Sequence, residues 1–172
     1  MVSVKICGLT READVDMAVA AGADMIGVVI VETSPRYVDF DKAQALIRRA
    51  AELGAEPWVV ATMAAPWLGK LIEETPEIGA VQLHGKETPG QVGWFARKYP
   101  LVPVIKAMGI ASPRDLAEAE EFEAADAFLF DAKPPKGADR EGGGLGVSPQ
   151  TPRTRPLPRS ACARTPQRWR GR

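Results

Sequence analysis

Six side chains that can take part in acid–base or anion-binding chemistry lie at or just after the ends of successive apolar runs. They are Cys7, Arg36, Gln82, His84, Lys106 and Asp131. If the runs are parallel strands, their carboxyl ends meet at one rim of the sheet, where ligands sit in parallel α/β folds. A thiol and a carboxylate that face each other across such a rim can work as base and acid in one reaction. The pattern predicts a proton-transfer site built around Cys7 and Asp131.

Two of these residues have structural alternatives that the sequence leaves open. Cys7 ends an alternating run that places Ser3, Lys5 and Cys7 on one face, and an unpaired cysteine is more often inert packing than a reactive thiolate. His84 is the only histidine. Its imidazole could contact a substrate or hydrogen-bond a loop.

The two basic residues are equally open to more than one interpretation. Lys106 is predicted to end its strand, where it could pair with a nearby carboxylate or form a Schiff base. Arg36, between Pro35 and Tyr37, could be a solvated loop charge. A guanidinium also binds a carboxylate through two parallel hydrogen bonds, which makes Arg36 a candidate for carboxylate recognition.

The apolar runs predict strict alternation of strands and helices. Strands are predicted over 2–7, 24–31, 58–63, 80–83, 102–106 and 127–130. Helices are predicted over 12–21, 41–53, 68–74, 89–98 and 113–122. Such alternation indicates a parallel sheet, either doubly wound or closed into an eight-stranded barrel. The first turn, CGLTRE, lacks the glycine pattern of a dinucleotide site, so a barrel is favoured, although six strands do not close one.

The chain consists of two kinds of sequence that meet near Val147. Residues 1–146 hold 15 basic and all 22 acidic residues, whereas residues 147–172 hold seven arginines and no acid. We therefore predict a partial barrel domain over 1–147 and a disordered Pro/Arg-rich tail over 148–172. The tail could be a basic arm, a proline-rich ligand or a translation in the wrong frame. Its abrupt loss of acids and of periodicity favours the wrong frame.

Composition excludes several classes of protein. No apolar run approaches the roughly 18 residues of a membrane span, and the N-terminus lacks the pattern of a signal peptide. Cys7 and Cys162 do not suggest a disulfide framework, so a reducing cytoplasm is predicted. One histidine and two distant cysteines cannot make a zinc site, and no metal is predicted.

Six motifs in order resemble phosphoribosylanthranilate isomerase, the (β/α)8 barrel family of tryptophan biosynthesis. They are KICGLT at 5–10, DMIGVV at 24–29, SPRYV at 34–38, VQLHG at 81–85, VIKA at 104–107 and LFDA at 129–132. A glycine-rich loop over 142–146 follows in the expected place. The resemblance covers residues 1 to about 147 without a gap.

This resemblance implies an intramolecular oxidoreductase that needs neither cofactor nor metal. The family rearranges N-(5-phosphoribosyl)anthranilate to the carboxyphenylamino-deoxyribulose phosphate. Carried over by motif, Cys7 is the general base, Asp131 is the general acid and Arg36 holds the anthranilate carboxylate. The substrate-binding residues are predicted to be Arg36, Gln82, His84, Lys106, Gly143, Gly144 and Gly146.

The resemblance stops after the glycine-rich loop, where the family continues with two further βα units. We therefore expect this polypeptide to fold poorly and to be nearly inactive. A second hypothesis is another phosphosugar-binding barrel that uses Lys106, and a third is a non-catalytic fragment with a basic binding tail. The predicted partner is a small phosphorylated substrate, with neither nucleic acid nor membrane, and the oligomeric state stays open.

Overall fold

A computed structural model describes residues 2–132 of the 172-residue chain. Its strands are β1 (Lys5–Cys7), β2 (Met25–Val29), β3 (Glu56–Ala61), β4 (Ala80–Leu83), β5 (Val104–Ile110) and β6 (Ala127–Ala132). Its helices are α1 (Glu12–Ala20), α2 (Phe40–Glu52), α3 (Leu68–Glu74), α4 (Pro89–Lys98) and α5 (Pro113–Ala119). The predicted tail, the domain boundary at 147 and Gly143, Gly144 and Gly146 lie outside the described residues.

All six strands form one parallel sheet in the order β1 to β6. Strands that follow one another in sequence are therefore neighbours in space, and a helix lies in each connection between them. This is the arrangement of consecutive βα units in a (β/α)8 barrel. The predicted α/β fold with about six barrel units is confirmed.

Eight of the eleven elements have bounds that differ from those predicted, by one to four residues, and the largest differences are in β1, β5 and α5. β1 begins at Lys5 rather than Val2, because pairing with β2 starts at Lys5 and Met25. β5 begins after Pro103, which lacks an N–H, and runs on to Ile110 because β6 pairs with it that far. α5 ends at Ala119 instead of Phe122.

The sheet has two chemically different faces. The outer face packs against the helices, and its strand residues include Ile26, Val28, Val59, Val81, Leu83 and Val104. Helix residues that complete this core include Val15, Leu46, Ile47, Leu71, Val92 and Phe95. The inner face, which carries Cys7, Gly27 and Trp58, corresponds to the interior of a barrel. Because side chains alternate along a strand, register decides which residues reach the inner face.

Two helices begin with a capping box. Thr88 and Gln91 form a reciprocal capping box at the start of α4, and Ser112 and Asp115 form another at the start of α5. Such boxes satisfy backbone N–H groups that have no partner within the helix. They fix the loops that leave the carboxyl ends of β4 and β5. Within residues 2–132, none of the helices is long and apolar enough to cross a membrane.

Candidate active site

The strand register places Cys7 and Asp131 on the same inner face, although they lie on the two edge strands. Cys7 pairs with Gly27, and this row continues across the sheet to Trp58 and Ala80. Gln82 lies two positions further along β4, in a row that continues through Ile105 and Ala127. Asp131 lies four residues after Ala127 and therefore shares that face.

The thiol of Cys7 is exposed on the inner face. A Cβ atom at Gly27 would lie only 2.7 Å from Cys7 Sγ, so the sulfur occupies the space that a side chain of β2 would fill. Cys7 is thus not buried among residues 2–132, and its role as a base stays a prediction. The adjoining strand has a glycine where the thiol needs room.

Arg36 lies directly against the turn that follows Cys7. Gly8 has φ +79, a conformation that side chains rarely adopt, and a Cβ atom there would collide with the aliphatic part of Arg36. The loop that carries Arg36 is tied to β2 by the Val38 N–H, which donates to the Val29 carbonyl, and within the loop the Arg36 N–H donates to the Ser34 hydroxyl. The exposed Arg36 is thereby held beside the end of β1.

Asp131 and His84 lie at the carboxyl ends of their strands. Asp131 is half-buried near the end of β6, and its carboxylate accepts a 2.8 Å hydrogen bond from the Ala132 N–H. His84 follows β4, its backbone N–H donates to Ala61, and its imidazole is exposed. Within residues 2–132 the imidazole has no hydrogen-bond partner, so the loop-bonding alternative for His84 is not observed.

Lys106 was predicted at the end of its strand among the rim residues, and the structure corrects this position. It is the third residue of β5 and pairs with Leu83 and Phe128, which places it on the outer face. Its ammonium is buried and lies 2.9 Å from a carboxylate oxygen of Glu87. It also donates to the carbonyl oxygens of Leu83, Gly85 and Ala107. The carboxylate-paired alternative for Lys106 is confirmed, and Lys106 lies on the opposite face of the sheet from Cys7.

Glu87, which no sequence pattern singled out, connects Lys106 to two neighbouring loops. Its carboxylate accepts hydrogen bonds from the N–H groups of Gly85 and Met63 as well as from Lys106. One buried carboxylate thus joins β5 to the loops after β3 and β4. The lysine and its loops form a fixed support for the rim.

Gln82 is buried on the inner face and contacts a residue that the sequence interpretation had not assigned to the site. Its side-chain oxygen accepts a 2.8 Å hydrogen bond from Lys5 Nζ. The same ammonium lies 5.2 Å from the centre of the Trp58 ring. Burial lowers the pKa of Lys5, and the charge and hydrogen-bonding capacity of nearby Cys7 oppose that shift. The alternation that put Lys5 and Cys7 on one face was the available signal.

The described residues hold no group of three His, Cys, Asp or Glu side chains able to bind a metal ion. The side chains that the inner rim presents include a thiol, a carboxylate, a guanidinium and an imidazole. A thiolate and a carboxylic acid can transfer protons, and a guanidinium can bind an anion.

A family profile described as N-(5'phosphoribosyl)anthranilate (PRA) isomerase matches residues 4–148. The chain belongs to this family. A relative from Rhodopseudomonas palustris strain BisA53, named N-(5'-phosphoribosyl)anthranilate isomerase, is 46% identical over 146 residues, which cover 84% of this chain and 66% of the relative. A second relative of the same name, from Rhodospirillum rubrum, is 45% identical, and the match covers 81% of this chain and 66% of the relative.

Solved structures of phosphoribosylanthranilate isomerases share the fold. The Thermotoga maritima enzyme superposes with a TM-score of 0.67 at 31% identity, over 79% of this chain and 64% of that one. A phosphoribosyl anthranilate isomerase solved in complex with reduced 1-(o-carboxyphenylamino)-1-deoxyribulose 5-phosphate superposes with a TM-score of 0.67 at 29% identity. The match covers 77% of this chain and 66% of that one. The chain thus spans slightly less than two thirds of the length of these relatives.

Proposed function

We propose that this protein is a phosphoribosylanthranilate isomerase of tryptophan biosynthesis, acting in the cytoplasm. The observation that carries the proposal is the placement of Cys7, Arg36 and Asp131 on one rim of a sheet that belongs to this family. The substrate is N-(5'-phosphoribosyl)anthranilate, which carries an aromatic carboxylate at one end and a phosphate at the other. The reaction is an internal redox rearrangement that consumes no co-reactant.

Asp131 and Cys7 divide the proton transfers of this rearrangement. Asp131 in its protonated form gives a proton to the furanose ring oxygen, and the C1′–O bond breaks to leave an iminium ion. The Cys7 thiolate removes the C2′ proton, and the electron pair forms the enol-amine. Tautomerisation to the ketone completes the reaction without net gain or loss of protons. Positioned acids and bases of this kind contribute about 10²- to 10⁴-fold each.

Arg36 binds the carboxylate of the substrate. Its position against Gly8 puts a guanidinium beside the turn that follows Cys7, and the two parallel N–H donors of a guanidinium match a carboxylate. The relative solved with a carboxyphenylamino-deoxyribulose phosphate bound a ligand that carries both anionic groups. In this proposal the aromatic ring of the substrate lies over the end of β1.

The remaining predicted binding residues have separate roles in the proposed site. His84 extends from the end of β4 into the rim, where its exposed imidazole can contact the sugar. Gln82 acts through Lys5 rather than directly. The backbone N–H groups of Gly143, Gly144 and Gly146 would bind the phosphate. Residues 1–147 form the partial barrel domain in this proposal, and residues 148–172 have no role in the reaction.

The test is turnover of N-(5'-phosphoribosyl)anthranilate by the purified chain, followed through the loss of substrate fluorescence. Cys7→Ala and Asp131→Asn are each expected to lower kcat by about 10²-fold or more. Arg36→Lys keeps a charge but loses the paired donors, so KM is expected to rise more than kcat falls. Arg114→Ala removes a surface arginine on α5 and serves as the matched control. Turnover that Cys7→Ala leaves intact contradicts the proposed roles. Absence of turnover by the folded chain agrees with the sequence-based expectation of a nearly inactive polypeptide and contradicts the proposal that this chain itself is the enzyme.

A further inference from the structure

The side chain of Lys5 runs along the inner face toward the thiol. Lys5 and Cys7 are two residues apart on β1 and therefore share that face. The Lys5 ammonium reaches Gln82, which lies in the row of the sheet beyond the one that contains Cys7. It thus crosses the row of Cys7, Gly27 and Trp58 on its way. Gly27 has no side chain in that path.

Two uncharged groups hold the ammonium in place. Gln82, which is only 3% exposed, accepts the 2.8 Å hydrogen bond, and the Trp58 ring lies 5.2 Å away on the neighbouring strand. None of the ion pairs within residues 2–132 includes Lys5. Its positive charge is therefore oriented but not neutralised by a carboxylate of the described chain.

Few other charged groups approach the end of β1. Arg36 lies over Gly8 from the loop after β2. On β3, the Glu56 carboxylate lies against Gly79 at the opposite end of the sheet. β2 brings only Met25 and Gly27 to this part of the face. His84 follows β4 and Asp131 lies on the opposite edge strand, β6.

We propose that Lys5 is a positioning residue that stabilises the thiolate of Cys7 by its charge, with Gln82 fixing the ammonium. A cation beside a cysteine favours the anionic, nucleophilic form of sulfur, which is the form that can act as a base. The inference rests on the proposed function in that Cys7 is the base there. The burial of Lys5 and the opposing effect of Cys7 on its pKa agree with this geometry.

The experiment measures the rate at which iodoacetamide alkylates Cys7 in the native full-length chain across the neutral pH range. Mass spectrometry of the peptide that contains Cys7 separates its reaction from that of Cys162. Lys5→Met removes the charge but keeps an aliphatic side chain, and Lys5→Arg restores a charge. Circular dichroism establishes that each variant is folded.

Lys5→Met is expected to slow alkylation at neutral pH about tenfold and to move the alkylation profile toward higher pH. Lys5→Arg is expected to retain most of the wild-type rate. If folded Lys5→Met reacts as the wild type does, the proposal is overturned.

A second comparison needs no variant. In the wild-type chain, exposed Cys7 is expected to react faster in the native state than in urea, where Lys5 no longer lies beside it. An equal or slower native reaction overturns the proposal even if Lys5→Met does not fold. Alkylation requires no substrate, so the two claims can fail separately. If Lys5→Met slows alkylation but the wild-type chain shows no isomerase turnover, the proposed function is wrong and this inference holds. If the wild-type chain turns over substrate but Lys5→Met is alkylated at the wild-type rate, the proposed function holds and this inference is wrong.

Discussion

Two lysines occupy opposite faces of the same sheet, and their surroundings differ in kind. Lys106 on the outer face contacts the Glu87 carboxylate and several backbone carbonyl oxygens in a buried cluster. Lys5 on the inner face contacts an amide oxygen and an aromatic ring, with a thiol nearby. One charge is balanced inside the protein, whereas the other is held in place without a balancing carboxylate in residues 2–132.

This difference indicates a structural role for Lys106 and a role in the chemistry of the site for Lys5. A buried ion pair fixes the loops that it joins, but its two charges largely cancel at neighbouring groups. Removal of only one partner is strongly destabilising, because it leaves the other charge buried and unpaired. An oriented charge with neutral partners can act on whatever lies next to it, which here is the thiol of Cys7. The sheet therefore uses one lysine to hold the rim in place and the other, in our proposal, to set the charge state of a rim residue.

The largest effect is expected from Glu87→Ala. This change leaves the Lys106 ammonium buried without its carboxylate, so the free energy of unfolding should fall by about 3–5 kcal/mol. Urea unfolding measures it, and native alkylation of Cys7 should change little. The double variant Lys106→Met with Glu87→Met is the matched control and should recover most of the loss. A loss below about 1 kcal/mol for Glu87→Ala would show that the cluster is not the support described.

A smaller loss is expected from Gly27→Ala, which places a methyl group 2.7 Å from Cys7 Sγ. Overpacking of this kind typically costs about 1–3 kcal/mol, and displacement of the sulfur should also alter its alkylation rate. Gly90→Ala on α4 is the control, since a Cβ atom there meets nothing within 4 Å. That control should be neutral or stabilising by up to about 1 kcal/mol. Identical behaviour of the two variants would count against the close approach of Cys7 to β2.

Lys5→Met is expected to stabilise the fold slightly at neutral pH while it slows thiol alkylation. Burial lowers the pKa of Lys5 from 10.5, so the unfolded chain binds more protons between the folded value and 10.5. Wild-type stability should therefore rise with pH through that window relative to the variant, and the advantage of Lys5→Met should shrink. Urea unfolding at neutral and alkaline pH measures this. A variant that is less stable at neutral pH would assign Lys5 a structural role like that of Lys106.

The smallest effect is expected at an exposed ion pair between α1 and α2. Arg49 donates to Asp16 at 2.7 Å and holds the pKa of that carboxyl below its usual 3.8. The resulting stabilisation is present above pH 3.8 and is lost as the pH falls through the lowered folded value. Asp16→Asn should therefore lower Tm slightly at neutral pH and make no difference in strong acid. An equal shift at both pH values would assign the effect to something other than charge.

The order of elements was predictable because each signal was local. α3, β4 and α4 have the predicted bounds. The extension of β5 to Ile110 was not predictable, since it depends on pairing with β6. Lys106 was misplaced for the same reason, because its face follows from register across neighbouring strands.

The site shows the same division. The rim positions of Cys7, Arg36 and Asp131 could be predicted from where the apolar runs end, while their catalytic roles stay predictions. The packing of Arg36 on Gly8 could not be predicted, because it joins two loops that are distant in sequence. The hydrogen bond from Lys5 to Gln82 could not be predicted either, because the two residues are 77 positions apart in the chain. Alternation gave only the shared face of Lys5 and Cys7.

The most direct test of the account is the pH dependence of kcat/KM for isomerisation of N-(5'-phosphoribosyl)anthranilate by the wild-type chain and by Lys5→Met. We predict that wild-type kcat/KM reaches its plateau at lower pH than that of the variant. The two should differ about tenfold at neutral pH and converge in alkaline solution, where the thiol ionises without help. Superimposable profiles for two folded proteins, or no turnover by the folded wild-type chain, would contradict the account.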